Sequence, residues 1–141
     1  MNLAFFDTNI LIYADDPSLP EKQKRADDLL AGHLEHGMAA VSLQVLQEYY
    51  ATVTRKLGIA PDFAQRRVEI FSSANVVQFE AKDVIAAIEL HRLVRISFWD
   101  ALIVQAARVS GASVLYSEDF QGGSTLGGVR IVNPFTSLRP S

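Results

Sequence analysis

Five short apolar runs, at residues 3–6, 38–41, 76–79, 113–116 and 129–132, are separated by stretches whose apolar residues recur at helical spacing. Strands that alternate with helices define an α/β fold with a mainly parallel sheet. The helical stretches are residues 10–14, 21–36, 43–57, 61–73, 82–94 and 98–110. Six helices around about five short strands predict a three-layer α/β/α sandwich with right-handed crossovers. Local chemistry agrees with these boundaries. Asp15, Asp16, Pro17 and Pro20 break the chain after the first helix, Ser42 is placed to cap the third, and Pro61 opens the fourth. Gly37, Gly58 and Gly111 stand where helices should end. No repeat or linker interrupts the pattern, so residues 1–141 read as one domain.

Composition removes several function classes. The chain has no cysteine, which excludes a disulfide framework and any thiolate metal site. No apolar run approaches the roughly 20 residues that cross a bilayer. The N-terminus has no basic leader before its short apolar run, which predicts a cytoplasmic protein without a membrane partner. The formal charge of −3, from 13 basic and 16 acidic residues, argues against a nucleic-acid binder only if the acids are spread evenly. A metal site holding four of them would remove the acidic surplus.

The acids are not spread evenly. In an open parallel sheet each helix starts near the carboxyl edge of the strands, and ligands bind there, at the crevice where the strand order reverses. Asp7 follows the first strand directly. Glu48 lies in the second turn of the helix after the second strand. Asp100 lies in the first turn of the helix leading into the fourth strand, and Asp119 follows that strand. Each has a plain structural reading: Asp7 as a helix cap, Glu48 as a surface acid, Ser97-x-x-Asp100 as a capping box and Asp119 as an Asx-turn. Together they crowd one edge. Two carboxylates about 4 Å apart repel by roughly 4 kcal/mol at an effective dielectric near 20, so such a cluster calls for a cation or for bound protons. All-oxygen ligands with open positions suit Mg²⁺ or Mn²⁺, the ions of phosphodiester hydrolysis.

The segments carrying these acids are Phe6-Asp7-Thr8-Asn9-Ile10-Leu11-Ile12-Tyr13, Gln47-Glu48, Phe98-Trp99-Asp100-Ala101-Leu102-Ile103 and Tyr116-Ser117-Glu118-Asp119-Phe120. They resemble the PIN domain, in the version found in VapC-type toxins of bacterial toxin–antitoxin pairs. The likeness extends to the closing run at residues 128–135. It implies a sheet in the order 3-2-1-4-5 and a metal-dependent ribonuclease using Mg²⁺ or Mn²⁺. The family's acids fall on Asp7, Glu48, Asp100 and Asp119. Asp7 and Asp100 are implied as the main metal ligands, with Glu48 and Asp119 completing the site directly or through water. Thr8, Asn9 and Ser117 match its small polar positions, and Glu118 rivals Asp119 as the fourth acid. The implied reaction is attack by a metal-activated water on RNA, giving 5′-phosphate and 3′-hydroxyl ends. The implied partners are an antitoxin protein and a second copy of the chain.

Other features carry two readings each. Lys22, Lys24 and Arg25 form a solvated face or a basic lip for phosphates. Arg92 and Arg95 end a helix or hold phosphates near the site. Trp99 reads as packing or a dimer contact before it reads as a base-stacking platform. One of Tyr49 and Tyr50 belongs to the core. His33, His36 and His91 share no metal-ligand spacing and read as surface or helix-end residues. The glycine-rich stretch at residues 121–128 lacks the ending of a phosphate loop and reads as a flexible connector. Three alternatives compete with the toxin reading: a PIN nuclease of RNA processing or acting on DNA, a binding module whose acids only cap helices, and a phosphatase with an Asp nucleophile. The last is weakened by Asn9, which leaves no second acid beside Asp7.

Overall fold

In a computed structural model, which describes residues 1–120 and 123–138, the expected alternation is present. The elements are β1 (Ala4–Phe6), α1 (Thr8–Ala14), α2 (Pro20–Glu35), β2 (Ala39–Ser42), α3 (Leu43–Arg55), α4 (Pro61–Phe71), β3 (Asn75–Val77), α5 (Ala81–Val94), α6 (Phe98–Ser110), β4 (Val114–Tyr116), β5 (Thr125–Leu126) and β6 (Val129–Val132). The sheet order is β3-β2-β1-β4-β6-β5. All neighbours are parallel except β5 and β6. The strand order reverses between β1 and β4, where Phe6 pairs with Tyr116. The chain steps outward from β1 to β3, then returns across the sheet to β4. Right-handed crossovers therefore place α1–α4 on one face and α5 and α6 on the other. The packing agrees: α1 meets α2 and α3, α3 meets α4, and α5 meets α6.

Strands β1 and β2 are buried along their whole length. Phe5, Phe6, Leu115 and Ile131 are fully buried. A run of seven residues in α6, 101–107, is also buried. Three of them, Ala101, Ala106 and Ala107, are alanines, whose small side chains let the helix axis approach the sheet closely. The side chains of Asp7, Ser42 and Ser97 accept from the first-turn N–H groups of α1, α3 and α6. This satisfies donors that a helix start otherwise leaves orphaned.

Four details differ from the sequence reading. Helix α1 begins at Thr8 rather than residue 10, because the Asp7 cap draws two polar residues into its first turn. Strand β3 ends at Val77, short of Phe79. The glycine-rich connector contains an extra strand. Gly127 and Gly128 take positive φ, 58° and 82°, between the paired residues Leu126 and Val129. This is the two-residue hairpin turn whose twist suits antiparallel strands. Gln121 and Gly122, also part of that connector reading, lie outside the described residues. The fourth difference is His33, which is buried although it lies in the last turn of α2. Its Nδ1 meets the Leu29 carbonyl at 2.8 Å, and its ring packs edge-on against Phe6 and Tyr116.

Candidate active site

The β1–β4 register brings Asp7 and Ser117 together at the carboxyl edge of the sheet. The Asp7 N–H donates to the Tyr116 carbonyl at 3.0 Å. Ser117 is fully buried, and its hydroxyl donates to Asp7 Oδ2 at 2.7 Å. The other oxygen, Oδ1, accepts from the Thr8 N–H at 2.7 Å. Both carboxylate oxygens are thus fixed by donors. Ser117 Oγ also accepts from the Asp119 N–H at 3.1 Å and from Asn9 Nδ2 at 3.5 Å. One buried hydroxyl ties the ends of both strands together.

Thr8 carries the network to α3, where its hydroxyl donates to Glu48 Oε1 at 2.8 Å. Asp100 sits half-buried in the first turn of α6. Only half of the expected capping box forms there: the Asp100 N–H donates to Ser97 Oγ at 3.0 Å. The reciprocal bond does form at Glu80 and Asp83 of α5. Glu118, the rival acid, is engaged elsewhere. It accepts from the Tyr13 hydroxyl and from Lys22 Nζ at 2.6 Å, and the Lys22 ammonium also lies over the Tyr13 ring. Asp119, by contrast, is exposed at the edge. The link through Lys22, an α2 side chain, had no local sequence signal; it joins positions 96 residues apart.

The electrostatics show which acids share a field. Burial pushes the Asp7 carboxyl up to about 7, the Ser117 and Thr8 hydrogen bonds pull it back, and the charges of Asp119 and Asp100 push it further up. Burial also raises Asp100, with Asp119 adding to the rise and Ser97 opposing it. Asp7, Asp100 and Asp119 therefore repel one another across the edge, while Glu48 is joined to Asp7 through Thr8. Lysine or arginine forms no salt bridge with any of these four acids among the described residues.

Among the described residues, no three acidic or histidine side chains converge at metal-ligand spacing as they stand. Mg²⁺ needs only one or two protein carboxylates and keeps several of its waters. A buried carboxylate surrounded by other acids, with only oxygen donors at hand, fits such a hard cation chemically. His33, His36 and His91 contribute nothing to the edge; each ring bonds a backbone carbonyl. A cleft of about 600 Å³ between α2 and α4, lined by Lys24, Asp27, Phe63 and Arg67, holds none of the four acids.

The sequence pattern of the PIN domain matches residues 4–121. The chain belongs to the PIN domain family. Its fold is similar to that of a toxin–antitoxin complex from Klebsiella pneumoniae, at 21% identity and a TM-score of 0.67, over 93% of this chain and 97% of that one. It is similar to VapBC2 from Rickettsia felis, solved on a DNA fragment of its promoter, at 21% identity and a TM-score of 0.66, over 92% and 96%. It is also similar to VapC20 from Mycobacterium tuberculosis, a sarcin–ricin-loop-cleaving toxin, at 23% identity and a TM-score of 0.65, over 90% and 98%. No curated protein sequence matches the chain significantly.

Proposed function

We propose that the protein is a metal-dependent endoribonuclease and the toxin of a type II toxin–antitoxin pair. The observation that carries this reading is Asp7: a buried carboxylate at the switch point of the sheet, held at both oxygens and pressed by Asp100 and Asp119. Asp7 and Asp100 would hold Mg²⁺ or Mn²⁺, with Glu48 and Asp119 completing the site directly or through water. Such an ion orients the phosphodiester, makes a water more acidic and stabilises charge on the leaving oxygen. Ser117 and the Thr8 N–H fix the direction in which Asp7 presents its lone pairs. Thr8 holds Glu48, and Asn9 steadies the Ser117–Asp119 turn through its bonds to Ser117 and the Glu118 N–H. Hydrolysis by water leaves 5′-phosphate and 3′-hydroxyl ends.

The partners in this reading are an RNA substrate, a small antitoxin and a second copy of the chain, in the cytoplasm. Support for the antitoxin comes from the solved relatives, two of which are toxin–antitoxin assemblies. No helix among the described residues is long and apolar enough to cross a membrane. The test is direct. Purified protein is expected to cleave RNA with Mg²⁺ or Mn²⁺, and either EDTA or Asp7→Asn should abolish cleavage. Full cleavage in EDTA would overturn the metal mechanism.

A further inference from the structure

Three exposed side chains lie close together in sequence at the α5–α6 junction. Trp99, the chain's single tryptophan, is 64% exposed, although it precedes Asp100 directly. The Phe98 ring meets it edge-on at 5.3 Å between centroids and props it from one side. Arg92 and Arg95 lie just upstream. Among the described residues, neither side chain has a hydrogen bond or ion pair. Arg25, Arg66, Arg67 and Arg108 do, while Arg55 and Arg130 are unpaired as well.

Arg95 is unusual in its backbone too. It caps α5 at φ 57° and ψ 36°, the one non-glycine residue with positive φ among those described. Helices commonly end this way on glycine, because a Cβ is penalised there by about 1 kcal/mol or more. The corner itself is firm. The Arg95 N–H donates to the His91 carbonyl at 3.1 Å, and the His91 ring meets the Ile96 carbonyl. Three residues link α5 to α6, so the Cα atoms of Arg95 and Trp99 are at most about 14 Å apart.

We propose that Trp99, Arg92 and Arg95 form a nucleotide platform at the rim of the acidic edge. A base of single-stranded RNA beside the scissile bond stacks on Trp99, and neighbouring phosphates lie against the two guanidinium groups. This rests on the ribonuclease reading above and names the contacts that reading lacks. An acidic edge repels a polyanion, so substrate needs cations close by. Exposed aromatic faces beside unpaired arginines are the recurring means of holding unstacked bases without sequence demands. A second copy of the chain is the rival occupant, since Val84, Ile85, Ile88 and Leu93 of α5 are also exposed. Seating it over this corner would bury unpaired guanidinium groups, which is costly.

The single tryptophan supplies its own probe. A short single-stranded RNA of mixed sequence is titrated into the full-length protein in EDTA, reading tryptophan emission and, separately, anisotropy of a labelled RNA. Saturable quenching is expected. Trp99→Ala should weaken binding at least about tenfold and Trp99→Phe less. Arg92→Gln with Arg95→Gln should flatten the salt dependence by about 0.7 in slope per lost phosphate contact. RNA binding without any change in emission would overturn the proposal. So would Trp99→Ala converting a dimer to monomer while RNA affinity stays unchanged; that result would assign the corner to a second copy. If wild-type quenching and the weaker binding of the variants by anisotropy hold but wild-type protein with Mg²⁺ or Mn²⁺ does not cleave RNA, the nuclease reading fails and the platform stands.

Discussion

Replacing Asp7 with Asn should destroy activity and yet stabilise the metal-free fold. In the folded chain burial pushes the Asp7 carboxyl up to about 7, against 3.8 for an ordinary aspartate. Its folded pKa lies above its unfolded one. The unfolded chain therefore releases its proton first as pH rises, and stability falls between about pH 4 and pH 7, then levels off. A gap of about three pH units corresponds to roughly 4 kcal/mol of penalty on the plateau. Burial supplies most of it and the neighbouring acids the rest. Asn has nearly the same shape and no charge. It can still accept from the Thr8 N–H, but its amide must donate towards Ser117 Oγ, which already receives the Asp119 N–H. Losing one good acceptor costs about 1–2 kcal/mol, leaving a net gain of about 2–3 kcal/mol. For a chain of 141 residues that is a rise in Tm of roughly 6–10 °C. The assay is thermal unfolding by circular dichroism in EDTA, from about pH 4 to pH 8. Asp7→Asn should melt slightly lower than wild type at the acid end and overtake it as pH rises. Adding Mn²⁺ should then raise wild type and leave Asp7→Asn nearly unmoved. If Asp7→Asn is no more stable than wild type at about pH 8 in EDTA, the claim that Asp7 is held under electrostatic stress is wrong.

Ser117→Ala removes a bond that pulls the Asp7 pKa down, so a carbon-13 carboxyl titration in EDTA should place Asp7 higher than in wild type. Arg67→Ala should cost about 2–4 kcal/mol in urea unfolding, because it strips Asp15 of a guanidinium at 2.9 Å and leaves that half-hidden carboxylate with the Tyr49 hydroxyl alone. Arg67→Lys should recover only part of this, since the guanidinium also lies over the Phe71 ring at 4.8 Å. Gly127→Ala should destabilise by about 1–2 kcal/mol through its left-handed φ of 58°. The contact of an added Cβ with Arg108 Cδ, at 2.7 Å, should relax by movement of that flexible side chain, so removing it with Arg108→Ala should not rescue the variant.

The parts of this protein that were legible in its sequence are those set by local period and chain order. Apolar runs separated by helical stripes sufficed for the layers, and four acids placed after strands or at helix starts sufficed to predict one edge. Three features resisted because their causes are not local. His33 looks like a helix-end residue until the rings of Phe6 and Tyr116, from two other elements, close over it. Glu118 and Asp119 are neighbours in sequence, and only Lys22 and Tyr13, brought in by α2 and α1, draw the first away and leave the second at the edge. Strand β5 is two residues long and half polar, so no periodicity could announce it. Its signal was the Gly127-Gly128 pair, a hairpin dipeptide read only as softness.

Asp7 joins these levels. As the cap of α1 it is ordinary: an extended backbone, and a side chain accepting from the first N–H of the helix. That same geometry aims a carboxylate at the switch point and buries it there, where two more acids face it. A seven-residue helix does not need so costly a cap; Ser42 and Ser97 do the same work for α3 and α6 without charge. The excess cost is carried by the strands on either side. Phe5, Phe6 and Leu115 are fully buried, and each contributes roughly 2 kcal/mol by leaving water. Two such side chains offset the roughly 4 kcal/mol that an ionised Asp7 costs. The fully buried strand β1 thus stands directly behind this charge. The β1–β4 register and the Ser117 hydroxyl hold Asp7 in place at the sheet edge, which is the position the proposed metal site requires of it.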